Sequence, residues 1–360
     1  MNQQTLWASK SKKEQIQHLE KGLPAPSDAG IFGLSLSEED SDLCIISVPW
    51  EATTSYGGGT AKTPGRIIEA SHQLDLYDLA FGEPFSRGIS LLDASQQMLS
   101  VSEEASKLVG EIRREGQGSE DFEINLEKMN ALSKKVNQLT YQQAKRLLVN
   151  GKIVGLLGGD HSCPYGLIKA LTEVHDSFAI VHVDAHFDFR DSYEGFKHSH
   201  ASIMFNTTKD FEQVKKIYQV GIRDFSKQEL NYQKSLQASG KSLVHFSGDV
   251  FKRLNDKGGL AEMFAEMNTF LPEKIYVSFD IDGLDPKLCP GTGTPVPGGL
   301  DYEFTMSLLE SFKLNGKKVI GFDLCEVAAP EGSEWDLNVG ARVLYKLCGL
   351  VLSCDGKKRN

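Results

Sequence analysis

The sequence predicts an α/β protein with three layers, α/β/α, around a mainly parallel sheet of about eight strands. Two observations predict it. Short apolar runs recur at LCIISVPW (43–50), KIVGLL (152–157), FAIVHVD (178–184), KIYQVGI (216–222), SLVHF (242–246), KIYVSFD (274–280) and KKVIGFDL (317–324), and most are separated by enough chain for a helix. Continuous apolar runs mark strands covered on both faces, and their alternation with helices marks parallel crossover units. The 360 residues, 40% hydrophobic and 24% charged, suffice for a sizeable core and exclude a disordered tail, a collagen or a coiled-coil rod.

Residues 1–42 are polar and mixed and read as an N-terminal extension lying over the main domain, with regular structure beginning after them. Residues 43–354 read as one domain. The strand at 43–50 runs into the Gly-rich EATTSYGGGTAKTPG, and a helix is expected from about Pro64 over RIIEASHQLDLYDLA, because proline suits a first helical turn. Residues 100–150 are charged and helix-prone, a pair of surface helices inserted between strands, with a flexible patch GQGSED between them. The remaining strands alternate with helices to the end.

The 49 acidic against 39 basic side chains leave a net charge of -10 with no long Lys/Arg run, so nucleic acid is not an expected partner: that affinity needs clustered cations on phosphates. The start, MNQQTLWASKSKKEQIQHLEK, has no apolar signal region, and no apolar run approaches the roughly 18 residues of a membrane span. Six scattered cysteines without CxxC pairs read as reduced thiols. A cytoplasmic protein is expected.

Three strand ends deliver acidic and histidine side chains: GGDHS (158–162), DAHFD (184–188) and DID (280–282). In open parallel sheets ligands bind beyond the carboxyl ends of strands, so these can converge on one crevice. In an extended segment side chains two apart face the same way, which would put Asp184, His186 and Asp188 on one side, and Asp280 and Asp282 likewise. With His161 the set is two imidazoles and four carboxylates. Four buried carboxylates repel unless cations hold them. Six donors exceed the four of a zinc-type site and suit two ions sharing bridging carboxylates. Oxygen and imidazole donors without thiolate favour manganese, with nickel, cobalt or iron left open by affinity order. Each cluster alone reads more readily as a turn or a helix cap; their joint placement points to metal. His182 alternates with Asp184, a position that could face the site, but reads more readily as a satisfied core histidine, and His18, His72, His175 and His245 carry no cluster signal.

GGDHS, VDAHFD and SFDIDGLDP, in that order over residues 158–286, resemble the arginase and agmatinase family of ureohydrolases. The resemblance implies an arginase-like fold and two Mn2+ ions, one held by His161, Asp184, Asp188 and Asp280, the other by His186, Asp184, Asp280 and Asp282, with Asp184 and Asp280 bridging. A hydroxide between two cations is a strong nucleophile at neutral pH and can attack a guanidinium carbon. Glu326, in GFDLCEVAAP, matches the family glutamate that receives the guanidinium, a group whose forked N–H donors suit a carboxylate; alone it reads as a strand-end surface charge. His200, in KHSHASIMF, aligns with the family's proton-shuttling histidine, although HAS stands where many relatives have HG. His198 competes for that role.

In arginases the amino-acid end of the substrate is held by Ser, Asn and Asp side chains. Here the corresponding loop offers Phe196 and His198, and Ser226 stands where arginase has its second Asp. RDSYEGFKHSHASIM (190–204) and CPGTGTPVPGGL (289–300) are similar to agmatinase segments, the latter a Pro/Gly loop suited to walling a pocket, as is SYGGGTAKTPG near Tyr56. Formiminoglutamases share DAHFD followed by a pair like Phe-Arg but carry SGTPF where this chain has SHASIM. The expected activity is manganese-dependent hydrolysis of a small cationic guanidino compound, agmatine to putrescine and urea. Formiminoglutamase, arginase or another guanidino hydrolase are the alternatives. So are an inactive metal-binding relative that docks a partner through residues 100–150, and a one-metal zinc deacetylase, which has no use for the second aspartate pair. The family implies a homo-oligomer, trimer or hexamer.

Overall fold

The computed structural model describes residues 7–54, 57–114 and 119–355. Eight strands, β1 (Leu43–Val48), β2 (Ile89–Leu92), β3 (Ile153–Gly158), β4 (Phe178–Val183), β5 (Val214–Val220), β6 (Ser242–His245), β7 (Lys274–Asp280) and β8 (Lys318–Cys325), form one sheet in the order β2-β1-β3-β8-β7-β4-β5-β6. Every pairing between them is parallel. Seven strands coincide with the seven apolar runs. The eighth, β2, is ISLL, four residues at the sheet edge with its last two partly exposed, too short to give a run of its own.

Eleven helices are described: α1 (Lys12–Glu20), α2 (Thr63–Ser71), α3 (Gln96–Ile112), α4 (Glu120–Val149), α5 (Tyr165–Thr172), α6 (Ile203–Asp210), α7 (Lys227–Ala238), α8 (Ser247–Asn255), α9 (Gly259–Phe270), α10 (Tyr302–Leu314) and α11 (Trp335–Ser353). Strand side chains alternate between two cores, as the pleat requires. In β1, Leu43 and Ile45 join the core under α2 and α8 to α11, while Cys44, Ile46 and Val48 join the one under α3 to α6. Each fully buried Leu or Ile contributes about 1.5–3 kcal/mol, so two-sided burial of the strands carries the stability of the sheet.

The N-terminal segment corrects an expectation. Among the described residues helix is already present well before residue 42, with α1 running from Lys12. Ser11 and Glu14 form a reciprocal capping box on α1, the Trp7 indole donates to the Gly33 carbonyl at 3.2 Å, and Ile31 and Phe32 are buried in the core. The expected pair of inserted helices is present as α3 and α4, capped by Ser95 and Ser119. Residues 115–118, which take in three of the six residues of the expected flexible patch, lie outside the described residues, as does Tyr56, while the other three, Ser119 to Asp121, cap and open α4. All six cysteines are free. No helix among the described residues is long and apolar enough to cross a membrane.

Candidate metal centre

The loops leaving β1, β3, β4, β7 and β8 meet beyond the carboxyl ends of the strands. After β3 the chain passes under Trp50 at Gly159, where any Cβ would collide with the Trp50 carbonyl oxygen. Asp160 then locks the turn: Oδ1 accepts the Ser162 N–H at 3.0 Å, and Oδ2 accepts the Thr53 N–H at 3.0 Å and hydroxyl at 2.8 Å. That turn delivers His161. Its Nδ1 lies 3.0 Å from Asp184 Oδ2 and 3.2 Å from both Asp188 Oδ2 and Asp280 Oδ2, three carboxylates from two loops around one nitrogen.

DAHFD does not converge in the way the extended spacing suggests. The strand ends at Val183, Asp184 Oδ1 folds back to accept the His186 N–H at 2.6 Å, and Asp188 adopts φ 55°. The loop therefore splits its donors. Asp188 faces His161, whereas His186 Nδ1 lies 3.0 Å from Asp282 Oδ2 and 3.4 Å from Asp184 Oδ1. DID also curls: Asp280 Oδ1 accepts the Asp282 N–H at 2.8 Å, and Asp282 Oδ1 accepts the Ala185 N–H at 3.0 Å, tying the two acidic loops together.

All six expected side chains are thus brought together. Donor atoms of His161, His182, Asp184 and Asp188 lie within 4.8 Å of one another, and so do those of Asp184, His186 and Asp282, two groups sharing Asp184. His182 is fully buried, as expected of a core histidine, and it also faces the cluster: its Nε2 lies 2.8 Å from Asp184 Oδ2 while Nδ1 meets the Gln219 amide at 3.0 Å.

The electrostatics fit cations. Burial, with Asp282 and Asp184 nearby, pushes Asp280 well above the usual carboxylate range, and burial with Asp184 pushes Asp188 up to about 6. Burial opposes charge on His186, yet Asp282 and Asp184 raise it to about 12. Burial also resists ionisation of Asp184, but His182, His161 and His186 hold it well below the ordinary value. Four carboxylates buried this close together repel one another, a strain that bound protons or a pair of divalent cations relieves.

Glu326 follows β8 with φ 61°, a left-handed backbone that non-glycine residues rarely adopt outside functional loops. It is buried, not a surface charge. Oε1 accepts the His161 N–H at 2.9 Å; Oε2 is buried without a hydrogen-bond partner among the described residues. Burial and Asp160 push this carboxyl well above its usual range.

A cavity of about 450 Å3 opens beside the cluster, with His186, Asp188, Arg190, Tyr193, His200 and Thr294 in its wall. Thr294 belongs to the expected Pro/Gly wall and donates to Asp282 Oδ2 at 3.3 Å. The His200 N–H donates to Thr53 Oγ1 at 3.0 Å, and its Nδ1 lies 3.3 Å from the same hydroxyl. Burial and the His186 charge lower His200 to about 4, leaving a neutral imidazole at pH 7. His198 is not in that wall; its ring packs edge-on against Tyr165 at 4.9 Å. Ser226 lines the cavity, but its hydroxyl is engaged with Glu229 as the cap of α7.

Sequence reasoning missed Thr53, Asp160, Ser278 and Asp323. Ser278 Oγ lies 2.9 Å and Asp323 Oδ1 3.6 Å from His161 Nε2. Asp160 alone had a readable signal, sitting inside GGDHS.

The family model for the arginase family matches residues 41–349. The N(1)-aminopropylagmatine ureohydrolase of Thermus thermophilus is 30% identical over 314 residues, covering 87% of this chain and 91% of that protein. The agmatinase of Pyrococcus horikoshii is 28% identical over 314 residues, 87% and 93% of the two chains. The solved agmatine ureohydrolase of Thermoplasma volcanium superposes with a TM-score of 0.67 at 23% identity over 88% of this chain and 92% of that one, a likeness of fold.

Proposed function

This chain belongs to the arginase family of ureohydrolases, hydrolases of amidino C–N bonds, and on that premise we propose that it hydrolyses agmatine to putrescine and urea with two manganese ions. The observation that carries the reading is the unpartnered, buried Glu326 Oε2 held beside the imidazole and carboxylate cluster, a receptor for a cationic N–H donor next to a cation site. His161, Asp184, Asp188 and Asp280 would hold one ion and His186, Asp184, Asp280 and Asp282 the other. Bound there, the pair supplies Lewis acidity and a water acidic enough to be a nucleophile at pH 7.

The protein side chains do the rest. Glu326 accepts guanidinium N–H groups and fixes the trigonal carbon against the cluster. His200, neutral and anchored by Thr53, can take up the proton that the attacking water releases and pass it to the leaving amine as the C–N bond breaks. Thr294, Pro295, Val296 and Tyr193 wall the cavity. A second reading, N(1)-aminopropylagmatine, is favoured by the similarity to the Thermus protein. A cytoplasmic homo-oligomer, trimer or hexamer, is part of the proposal, and native mass measurement checks the assembly.

The test is a manganese-loaded substrate panel of agmatine, N(1)-aminopropylagmatine, arginine, 4-guanidinobutyrate and formiminoglutamate, with urea, formamide and ammonia detected separately. Urea from agmatine with kcat/KM at least about tenfold above arginine, a 1.4 kcal/mol preference, supports the reading. Two bound metal equivalents without any turnover would leave a metal-binding protein, and formamide would move the chain to the formiminoglutamase reading.

A further inference from the structure

We propose that the inserted α3–α4 hairpin is the rigid backing of the loop that carries His200, and that Asn130 is the positioning residue through which it acts. The loop between Asp188 and α6 has little regular structure of its own. Its ends are tied by the Arg190 N–H to the Ala201 carbonyl at 3.0 Å and by a 3-10 turn at His200–Ser202, and its tip is a minimal ribbon in which Tyr193 and Phe196 exchange N–H···O bonds of 3.1 and 2.9 Å around Glu194 (φ 52°) and Gly195 (φ 87°). Two positive φ values at the central pair make a tight hairpin turn, but a ribbon this short is not stable unaided.

The support comes from α4. The Asn130 amide donates through Nδ2 to the Gly195 carbonyl at 3.2 Å and accepts the Lys197 N–H on Oδ1 at 2.9 Å, so one side chain pairs with the loop as a neighbouring strand would. One turn earlier on the same face, Leu126 packs so closely on Gly195 that an added Cβ would lie 2.6 Å from its Cδ2. From the opposite side, Asn206 on α6 donates to the Lys197 carbonyl at 2.8 Å, so that residue is clamped on both flanks three positions before His200. The other arm of the hairpin reaches the second anchor. Arg113, just past α3, donates to the Thr54 carbonyl, beside the Thr53 hydroxyl that accepts the His200 N–H. Both segments that hold His200 are gripped by one element.

The competing reading is that Asn130 is an ordinary half-buried helix residue. Leucine is a better helix former than asparagine, so Asn130→Leu removes the clamp without weakening α4, and global stability separates from loop position. The experiment compares wild type, Asn130→Leu and Asn130→Asp by hydrogen–deuterium exchange and by manganese-loaded kinetics. In Asn130→Leu the Lys197 amide should exchange at least about tenfold faster while peptides over residues 158–162 and 280–284 stay unchanged, because local opening then sets its protection. Asn130→Asp, which keeps the acceptor for the Lys197 N–H, should stay close to wild type at that amide. Unchanged Lys197 exchange in Asn130→Leu overturns the inference whether or not any guanidino compound is hydrolysed.

The kinetic arm rests on the proposed role of His200. Asn130→Leu should lower kcat about tenfold with KM and metal content unchanged, since small displacements of a catalytic group are costly, and should lower it no further in a His200→Ala background. An equal loss in both backgrounds overturns positioning through His200. A wild-type protein that releases no urea from any substrate sinks the functional reading alone, and the exchange result then decides the inference.

Discussion

At Asp184 the two halves of the cluster share one side chain: Oδ2 faces His161 and His182, and Oδ1 faces His186. Removing that carboxylate breaks both donor groups at once. Asp184→Ala and Asp280→Ala are therefore expected to lose bound manganese and turnover together, read as metal per chain after gel filtration; full activity in either refutes a bridging role. His200→Ala should keep its metal and slow turnover by about 10²- to 10⁴-fold, the usual contribution of a placed acid or base. Glu326→Gln retains an oxygen for the His161 N–H but not the charge, so metal should stay while agmatine turnover falls. The six metal-type donors are legible in the chain because each sits at a strand end inside a polar run, whereas Glu326, in the largely apolar GFDLCEVAAP, is singled out only by the resemblance. How they converge is not, since the extended alternation is undone by Asp184 accepting its own loop's N–H and by the left-handed Asp188.

The strands add a layer that no single stretch of chain displays. Parallel register puts Gln219 beside His182, His182 beside Ser278, and Ser278 beside Asp323, a row of buried polar residues across β5, β4, β7 and β8 directly beneath the cluster. In the sequence each is an isolated polar residue in an apolar run; only the pairing order makes them neighbours. β2 and α1 escaped notice for other reasons, one being too short for a run and the other anchored by long-range contacts such as Lys12 Nζ to the Arg87 carbonyl at 2.7 Å. Within this layer the Tyr276 hydroxyl donates to Asp323 Oδ2 at 2.7 Å, both residues being fully buried. Asp323→Val should leave that hydroxyl unpaired, at about 1–3 kcal/mol measured by denaturant midpoint, and Tyr276→Phe added to it should recover part of the loss. Simple additivity of the two substitutions would show that the pair is not coupled.

For the molecule as a whole, the sheet has its acidic loops at the carboxyl ends of its central strands and a core on each face, so folding must bring four carboxylates to a buried place where they repel. Parallel topology made this placement legible, because every strand ends on the same side. The docking of the inserted hairpin was not legible, since Asn130 meets Gly195 and Arg113 meets Thr54 across 65 and 59 residues of chain. Ions that bind the folded state and not the unfolded chain stabilise it by about 2.7 kcal/mol per site at a hundredfold excess over Kd. With the usual entropy of unfolding, that is about 3 to 4 °C of Tm per site for a chain of this size. Chelation should therefore lower Tm by several degrees and manganese should restore it, with Tm climbing as the logarithm of free metal. The slope separates the alternatives: two sites give twice the rise of one, so a one-metal deacetylase type of centre would show half the slope. Asp184→Ala should show no rise at all, because its loss of the shared carboxylate removes both groups. A Tm indifferent to manganese in the unaltered protein would mean that the cluster balances its charge by protons alone, and the reading of a cation pair would fall with it.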